Sequence, residues 1–214
     1  MGLLKDKDRE QVQKMFEQLT GNVKLVMFTQ EMECQYCRET RELAEEVAAL
    51  SDKIEAEVYD FVHDREKVDQ YSIDKIPAIV VEGAKDYGIR FYGVTAGYEF
   101  TSLLEDILDV SAGDAKLLPA TKEALAKIDT PVHIQVFVTL MCPYCPAAVR
   151  MAHRLAVESE HIRADMVESM EFPHLAQKYN VRGVPKSVVN GETGIEGALP
   201  EPMFVAKVLE AIQK

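Results

Sequence analysis

Residues 132–145 read Val132-His133-Ile134-Gln135-Val136-Phe137-Val138-Thr139-Leu140-Met141-Cys142-Pro143-Tyr144-Cys145, and this stretch decides the fold. Its first half is rich in β-branched and aromatic residues, which predicts a strand over 132–138. It ends in a C-x-x-C pair, and the spacing of Ala148, Ala152 and Leu155 beyond it predicts a helix. The same succession stands earlier in the chain. Val23 to Phe28 predicts a strand, Cys34-Gln35-Tyr36-Cys37 follows, and Leu43, Val47 and Leu50 mark one face of a helix. Both cysteines recur after 108 residues, and so do Tyr71 as Tyr179, Ile73 as Val181, Ile76 as Val184, Pro77 as Pro185 and Gly83 as Gly191. An offset of 104 then pairs Gly93 with Gly197 and Phe100 with Phe204. One register held over so many positions identifies a duplicated domain.

The seam is placed near Ser111-Ala112-Gly113-Asp114-Ala115, which divides the chain into residues 1–115 and 116–214. Ahead of the first strand, Val12, Met15, Phe16 and Leu19 predict an amphipathic helix from Asp8 to Leu19. After the first C-x-x-C helix come a strand over Ile54–Phe61, a short helix over Arg65–Tyr71, and strands at Ala78–Val81 and Ile89–Tyr92. A helix through Leu103, Leu104, Ile107 and Leu108 closes the unit. The second unit repeats the order, its opening helix running from Thr121 as N-cap to Ile128. Each unit thus reads βα, βα, hairpin, helix, with the cysteines at the first strand-to-helix junction. That is an α/β class.

The 214 residues suit one large domain or two small ones. With 24 Lys+Arg against 36 Asp+Glu the net charge is −12, which argues against a nucleic-acid binder. The imbalance lies wholly in residues 1–115, with 13 basic and 25 acidic side chains; the rest has 11 of each. Lys5, Asp6, Lys7 and Asp8 interrupt the start before a signal-length apolar run forms, and Asp6 breaks a myristoylation pattern. No stretch approaches the roughly 18 apolar residues of a membrane span. The expectation is a soluble cytoplasmic protein with neither nucleic acid nor membrane as partner. Neither a G-x-x-x-x-G-K-S/T nor a G-x-G-x-x-G loop is present to bind nucleotide phosphate or a dinucleotide.

Cys34, Cys37, Cys142 and Cys145 are the only cysteines, and two C-x-x-C pairs indicate redox chemistry or zinc. A thiol at a helix N-terminus faces backbone N–H groups without intrahelical partners and the positive end of the helix dipole, and both favour the reactive thiolate. Cys34 and Cys142 are therefore expected at the N-cap as attacking thiols, with Cys37 and Cys145 a turn inward to resolve the mixed disulfide. Pro143 suits the first helical position. Glu31 and Glu33 flank Cys34, whereas Thr139, Leu140 and Met141 precede Cys142; negative charge disfavours a thiolate, so Cys142 is expected to have the lower pKa.

A strand, a C-x-x-C opening a helix, and an Ile/Val-Pro some forty residues later resemble the thioredoxin/glutaredoxin superfamily. Cys142-Pro143-Tyr144-Cys145 matches the glutaredoxin active-site sequence and Cys34-Gln35-Tyr36-Cys37 is a close variant. Two such units in one chain resemble the protein disulfide oxidoreductases of thermophilic archaea and bacteria. The resemblance implies two tandem thioredoxin-fold units, each a central mixed β-sheet flanked by helices. It implies redox-active disulfides Cys34–Cys37 and Cys142–Cys145 and no other cofactor. Cis prolines are implied at Ile76-Pro77 and Val184-Pro185, whose backbones pair with substrate, and Tyr36 and Tyr144 are read as peptide contacts or shields. The implied activity is reduction, oxidation and isomerisation of protein disulfides. The implied partners are protein substrates and a thioredoxin-reductase-like flavoprotein as electron source; the alternative function is a dedicated electron carrier from such a flavoprotein to a peroxiredoxin.

The sequence also departs from the wider superfamily. Thioredoxin carries a buried acid six residues before its first cysteine, where this chain has Phe28 and Val136. Neither Gly93-Val94-Thr95-Ala96-Gly97 nor Gly197-Ala198-Leu199-Pro200 supplies the Gly-Gly-Cys/Ser-Asp stretch with which glutaredoxins hold glutathione. The competing readings are a zinc shared by both pairs, an iron–sulfur cluster, and a metal-stabilised binding module. His63, His133, His153, His161 and His174 share no motif, and His153 is placed too far along its helix to touch the thiol.

Overall fold

The computed structural model describes residues 4–213. The first unit contains α1 (Asp6–Phe16), β1 (Val23–Thr29), α2 (Cys37–Ala48), β2 (Ile54–Asp60), α3 (Arg65–Gln70), β3 (Ala78–Glu82), β4 (Asp86–Tyr92) and α4 (Glu99–Ala112). The second contains α5 (Pro119–Leu125), β5 (Val132–Val138), α6 (Cys145–Glu158), β6 (Ile162–Glu168), α7 (Pro173–Lys178), β7 (Lys186–Val189), β8 (Thr193–Glu196) and α8 (Glu201–Ile212). One eight-stranded sheet runs through both, in the order β2-β1-β3-β4-β6-β5-β7-β8. Each half has the same mixed pattern: β1 is parallel to β2 and antiparallel to β3, as β5 is to β6 and β7. The second half follows the first as a translated copy.

Both faces of this sheet are covered, which is why β1, β3 and β5 are nearly continuous apolar runs. Leu25, Met27, Ile79, Ile89, Phe91, Ile134 and Val136 face one cluster shared by both units, and Val26, Phe28, Val80, Tyr92, Phe137 and Val167 face the other. The duplicated tyrosines are packing residues. Tyr71 lies edge-on to Phe28 at 5.8 Å between ring centres, and Tyr179 against Phe137 at 5.6 Å.

The units join through β4 and β6, which pair in parallel from Ile89↔Ala164 to Tyr92↔Val167. Charged side chains at this seam satisfy one another. Arg163 bonds Asp165 at 2.9 Å and the Tyr92 hydroxyl at 2.7 Å, and His133 meets Asp165 at 2.6 Å. Together His133 and Arg163 hold the fully buried Asp165 carboxyl well below the usual range against the opposing effect of burial. Behind the sheet α4 packs on α6, where Arg150 pairs with Glu105, Asp106 and Asp109 of the other unit.

Several local expectations change. The opening helix ends at Phe16, and Leu19 is buried in the turn that follows. β4 begins three residues earlier than the apolar run suggests, because its polar start still pairs with β3. Ser111 and Ala112 belong to α4, which Gly113 ends with φ 64°, so only the last three residues of the expected seam lie between helices. Thr121 is not the N-cap of α5; Leu118 is, and Pro119 opens the helix.

Candidate active site

In both units the first strand delivers the chain to a loop, the loop closes as a disulfide, and a helix begins on the second cysteine. Cys34–Cys37 and Cys142–Cys145 are each bonded, with Cα atoms 5.5 Å apart in both. The four sulfurs therefore close as two pairs, one per unit, and among the described residues no group of three or more potential metal ligands is gathered.

The position of the first cysteines is corrected by two residues. Cys37 and Cys145 are the first residues of α2 and α6, with Tyr36 and Tyr144 as N-caps. Cys34 and Cys142 sit in the turn before the helix, where Cys145 N–H bonds the Cys142 carbonyl at 3.4 Å. Pro143 lies in that turn, and Pro146 holds the early helical position where a missing N–H costs nothing. Cys34 and Cys142 remain tied to the amino ends of α2 and α6, bonded to the first residue of each. Cys37 and Cys145 are buried at 2% and 0% exposure; Cys34 is half-buried and Cys142 is 8% exposed.

The Ile76-Pro77 and Val184-Pro185 peptide bonds are both cis and open β3 and β7. Each proline carbonyl accepts a hydrogen bond at 2.9 Å, Pro77 from Gly93 N–H and Pro185 from Gly197 N–H. Val184 turns its carbonyl toward Cys142 Sγ, 3.8 Å away. Ile76 and Pro77 share a cavity with Cys34 and Tyr36. The tyrosines differ: Tyr36 is half-buried with its hydroxyl bonded by Gln35 at 3.1 Å, while Tyr144 is 70% exposed.

The first cavity has a volume of about 500 Å³ and is walled by both units. The first supplies Glu33, Cys34, Gln35 and Tyr36, then Ile76, Pro77 and Val94; the second supplies the loop leading to Cys142 and the loop after β6, with Glu168 and Glu171. Exposed Met141 and Met170 stand on its rim. The chain crosses between sites a second time at Gly97, where φ is +61° and a Cβ would lie 2.4 Å from the Leu140 carbonyl. Tyr98 N–H bonds the same carbonyl at 3.2 Å.

Phe28 and Val136, standing where the superfamily's acid is missing, are fully buried and apolar. Glu168 and Glu171 bring carboxyls to the first cavity, and a further carboxyl is buried at the start of α4. Glu99, the first residue of α4, is fully buried, and one oxygen accepts the Ser102 hydroxyl at 2.7 Å while the other has no partner. Burial pushes its pKa up to about 7. The folded state thus holds its proton more tightly than the unfolded chain does, a contribution that is present at pH 4 and lost as pH rises through 7. Glu99→Gln is expected to be near neutral at pH 4 and stabilising by up to about 3 kcal/mol at pH 8 in denaturant titrations. Equal effects at both pH values would refute this assignment.

His153 lies in the α4–α6 interface and not at the thiols. Its Nδ1 is 2.6 Å from Asp106 and its ring is edge-on to Phe91 at 4.9 Å. Burial and the neighbouring Arg150 lower its pKa to about 3, which leaves it neutral and donating to Asp106. No local motif in the sequence marks Glu168 and Glu171 of the first cavity or the buried Glu99.

A family model described as a thioredoxin domain matches residues 22–105 and again 132–210. Among solved structures, a protein disulfide oxidoreductase from Aeropyrum pernix K1 is 28% identical, with TM-score 0.92, covering 98% of this chain and 94% of that one. The NTD_N/C domain of an alkyl hydroperoxide reductase from Enterococcus faecalis V583 is 26% identical, with TM-score 0.89, covering 96% and 99%. A curated relative, an alkyl hydroperoxide reductase of Escherichia coli K12, is 26% identical over 206 residues, 96% of this chain and 37% of its own. A Bacillus subtilis NADH dehydrogenase is 25% identical over 78% of this chain and 30% of its own. The chain thus spans about a third of the length of these curated relatives. No helix among the described residues is long and apolar enough to cross a membrane.

Proposed function

The chain belongs to the thioredoxin-domain family, a tandem of two thioredoxin folds with a C-x-x-C disulfide in each, and on that premise we propose that it reduces, oxidises and isomerises disulfides of proteins. The observation that carries this is the twofold occurrence of one site, a disulfide at the head of a helix beside a cis X-Pro, in a chain that aligns end to end with the Aeropyrum oxidoreductase.

In the reductive direction the thiolate of Cys142 attacks a substrate disulfide, and one substrate sulfur leaves as the new mixed disulfide forms. Cys145 then attacks Cys142 Sγ, releasing the second substrate sulfur and closing the pair. Two electrons pass from the dithiol to the substrate, and the reverse sequence oxidises a substrate dithiol. Cys34 and Cys37 act likewise. The backbones of Ile76 and Val184, preceding the cis prolines, align an extended peptide, and Tyr36 and Tyr144 flank its path. The pKa of the attacking and of the leaving thiol set the rates. A thioredoxin-reductase-like flavoprotein returns the electrons.

The likeness to a domain of alkyl hydroperoxide reductase favours a second reading, electron transfer to a peroxiredoxin. The test is turnover with dithiothreitol as reductant on two substrates, insulin and an oxidised peroxiredoxin. Catalysed insulin reduction is expected. A chain that reduces only the peroxiredoxin is a dedicated carrier, and one that reduces neither is not an oxidoreductase of proteins.

A further inference from the structure

The first site lacks an acid on its own strand, yet its cavity contains two carboxyls lent by the other unit. Glu171 lies against the backbone beside the cis proline: its Oε1 accepts Val94 N–H at 2.6 Å, one residue after the Gly93 that bonds Pro77. Gly93 has φ +97°, and a Cβ there would lie 2.7 Å from Glu171 Oε1, so the glycine makes room for the carboxyl. Glu168 accepts Glu171 N–H at 2.8 Å and fixes the loop that carries it. The remaining titratable groups lining the cavity are Glu33, Cys34 and Tyr36 from the loop before α2. The Thr139–Met141 wall adds none, and among the described residues no Lys, Arg or His lines it. Burial, with the charge of Glu168 beside it, pushes the Glu171 pKa up to about 7, where a carboxyl can both take and return a proton at neutral pH.

We propose that Glu171, supplied by the second unit, is the group that takes the proton from Cys34 and returns it during exchange at the first site. This rests on the thiol–disulfide reading above. In the reductive direction the Cys34 proton passes to the Glu171 carboxylate across the cavity, which is large enough for water to bridge them. The Cys34 thiolate displaces one substrate sulfur, and Glu171 gives its proton to that departing thiolate. Cys37 then displaces the second substrate sulfur, which takes the Cys37 proton. The dithiol becomes a disulfide, the substrate disulfide becomes two thiols, and Glu171 ends as it began. The site's proton chemistry therefore exists only when the two units are joined.

The test isolates the first site in a Cys142→Ser/Cys145→Ser chain. Single-turnover insulin reduction by the pre-reduced protein is measured from pH 5 to 9, about two units either side of neutrality. Glu171→Gln still accepts the Val94 N–H but cannot ionise. It is expected to lower the rate at pH 7 about tenfold or more and to remove the inflection near 7. Glu171→Asp keeps the inflection. A Gln profile that overlays its parent, or Gln and Asp profiles that coincide, would overturn the proposal. Failure of the parent double variant to reduce insulin at any pH would instead refute the oxidoreductase reading of the first site.

Discussion

Insulin reduction is expected to fall more than about a thousandfold when Cys34 and Cys142 are both changed to serine, because a hydroxyl cannot form the mixed disulfide. The single variants should be unequal, with Cys142→Ser costing more than Cys34→Ser. Cys34 looks out on Glu33, Glu168 and Glu171, and negative charge works against its thiolate. Cys142 is preceded by Thr139, Leu140 and Met141 and followed by Pro143, all neutral. Its deeper burial works in the other direction, and the amide-rich head of α6 opposes that. Iodoacetamide alkylation of each reduced single variant across pH reads the two thiols separately. A lower apparent pKa at Cys34 would reverse the ranking, and a single variant as inactive as the double would show that the sites work in series.

Arg150→Ala is expected to destabilise the protein by about 3–5 kcal/mol in denaturant titration, the cost of removing one partner from a buried ionic cluster. Arg150 is the cation that three carboxylates of α4 share: Glu105 at 3.0 Å, with Asp106 and Asp109 alongside. Asp106 is fully buried, and without Arg150 its remaining partner among the described residues is His153, which burial holds neutral. The loss concerns the seam between units, so Arg150→Lys, which keeps the charge but not the fork, should recover only part of it. A cost below about 1 kcal/mol would mean that the cluster opens to water and that the units are held by strand pairing alone.

What the sequence made legible is what lies close along the chain. The duplication, the two C-x-x-C loops and the Ile/Val-Pro turns follow from local residue types, and the strands and helices between them follow from apolar spacing. Pro143 misled because Pro146 satisfies the same first-turn rule, and only the turn closed by Cys145 N–H distinguishes them. Thr121 misled similarly, since a proline two residues earlier already opens the helix. Charge counted along the chain does not give the charge gathered at a site. The acidic surplus belongs to the first unit, yet of the three carboxyls that line the cavity with Cys34 only Glu33 comes from it, the others being Glu168 and Glu171. Glu99, Arg150 and His153 were unreadable for the same reason, because each acquires its role from a partner elsewhere in the fold.

The translated repeat of the sheet has a consequence at its outer rims. Two halves related by a rotation would close on each other, but a head-to-tail pair leaves one donor rim and one acceptor rim free, the recipe for an endless ribbon. β2 presents the rim that β6 uses to receive β4, and β8 presents the counterpart of β4. The two rims do not match. β8 has four residues where β4 has seven, and it ends in Glu196, while β2 carries Glu55, Glu57 and Asp60. Glu196 is paired with Lys186 and Glu57 with Lys24, so what blunts β8 as a template for a further strand is its length, four residues against the seven of β2.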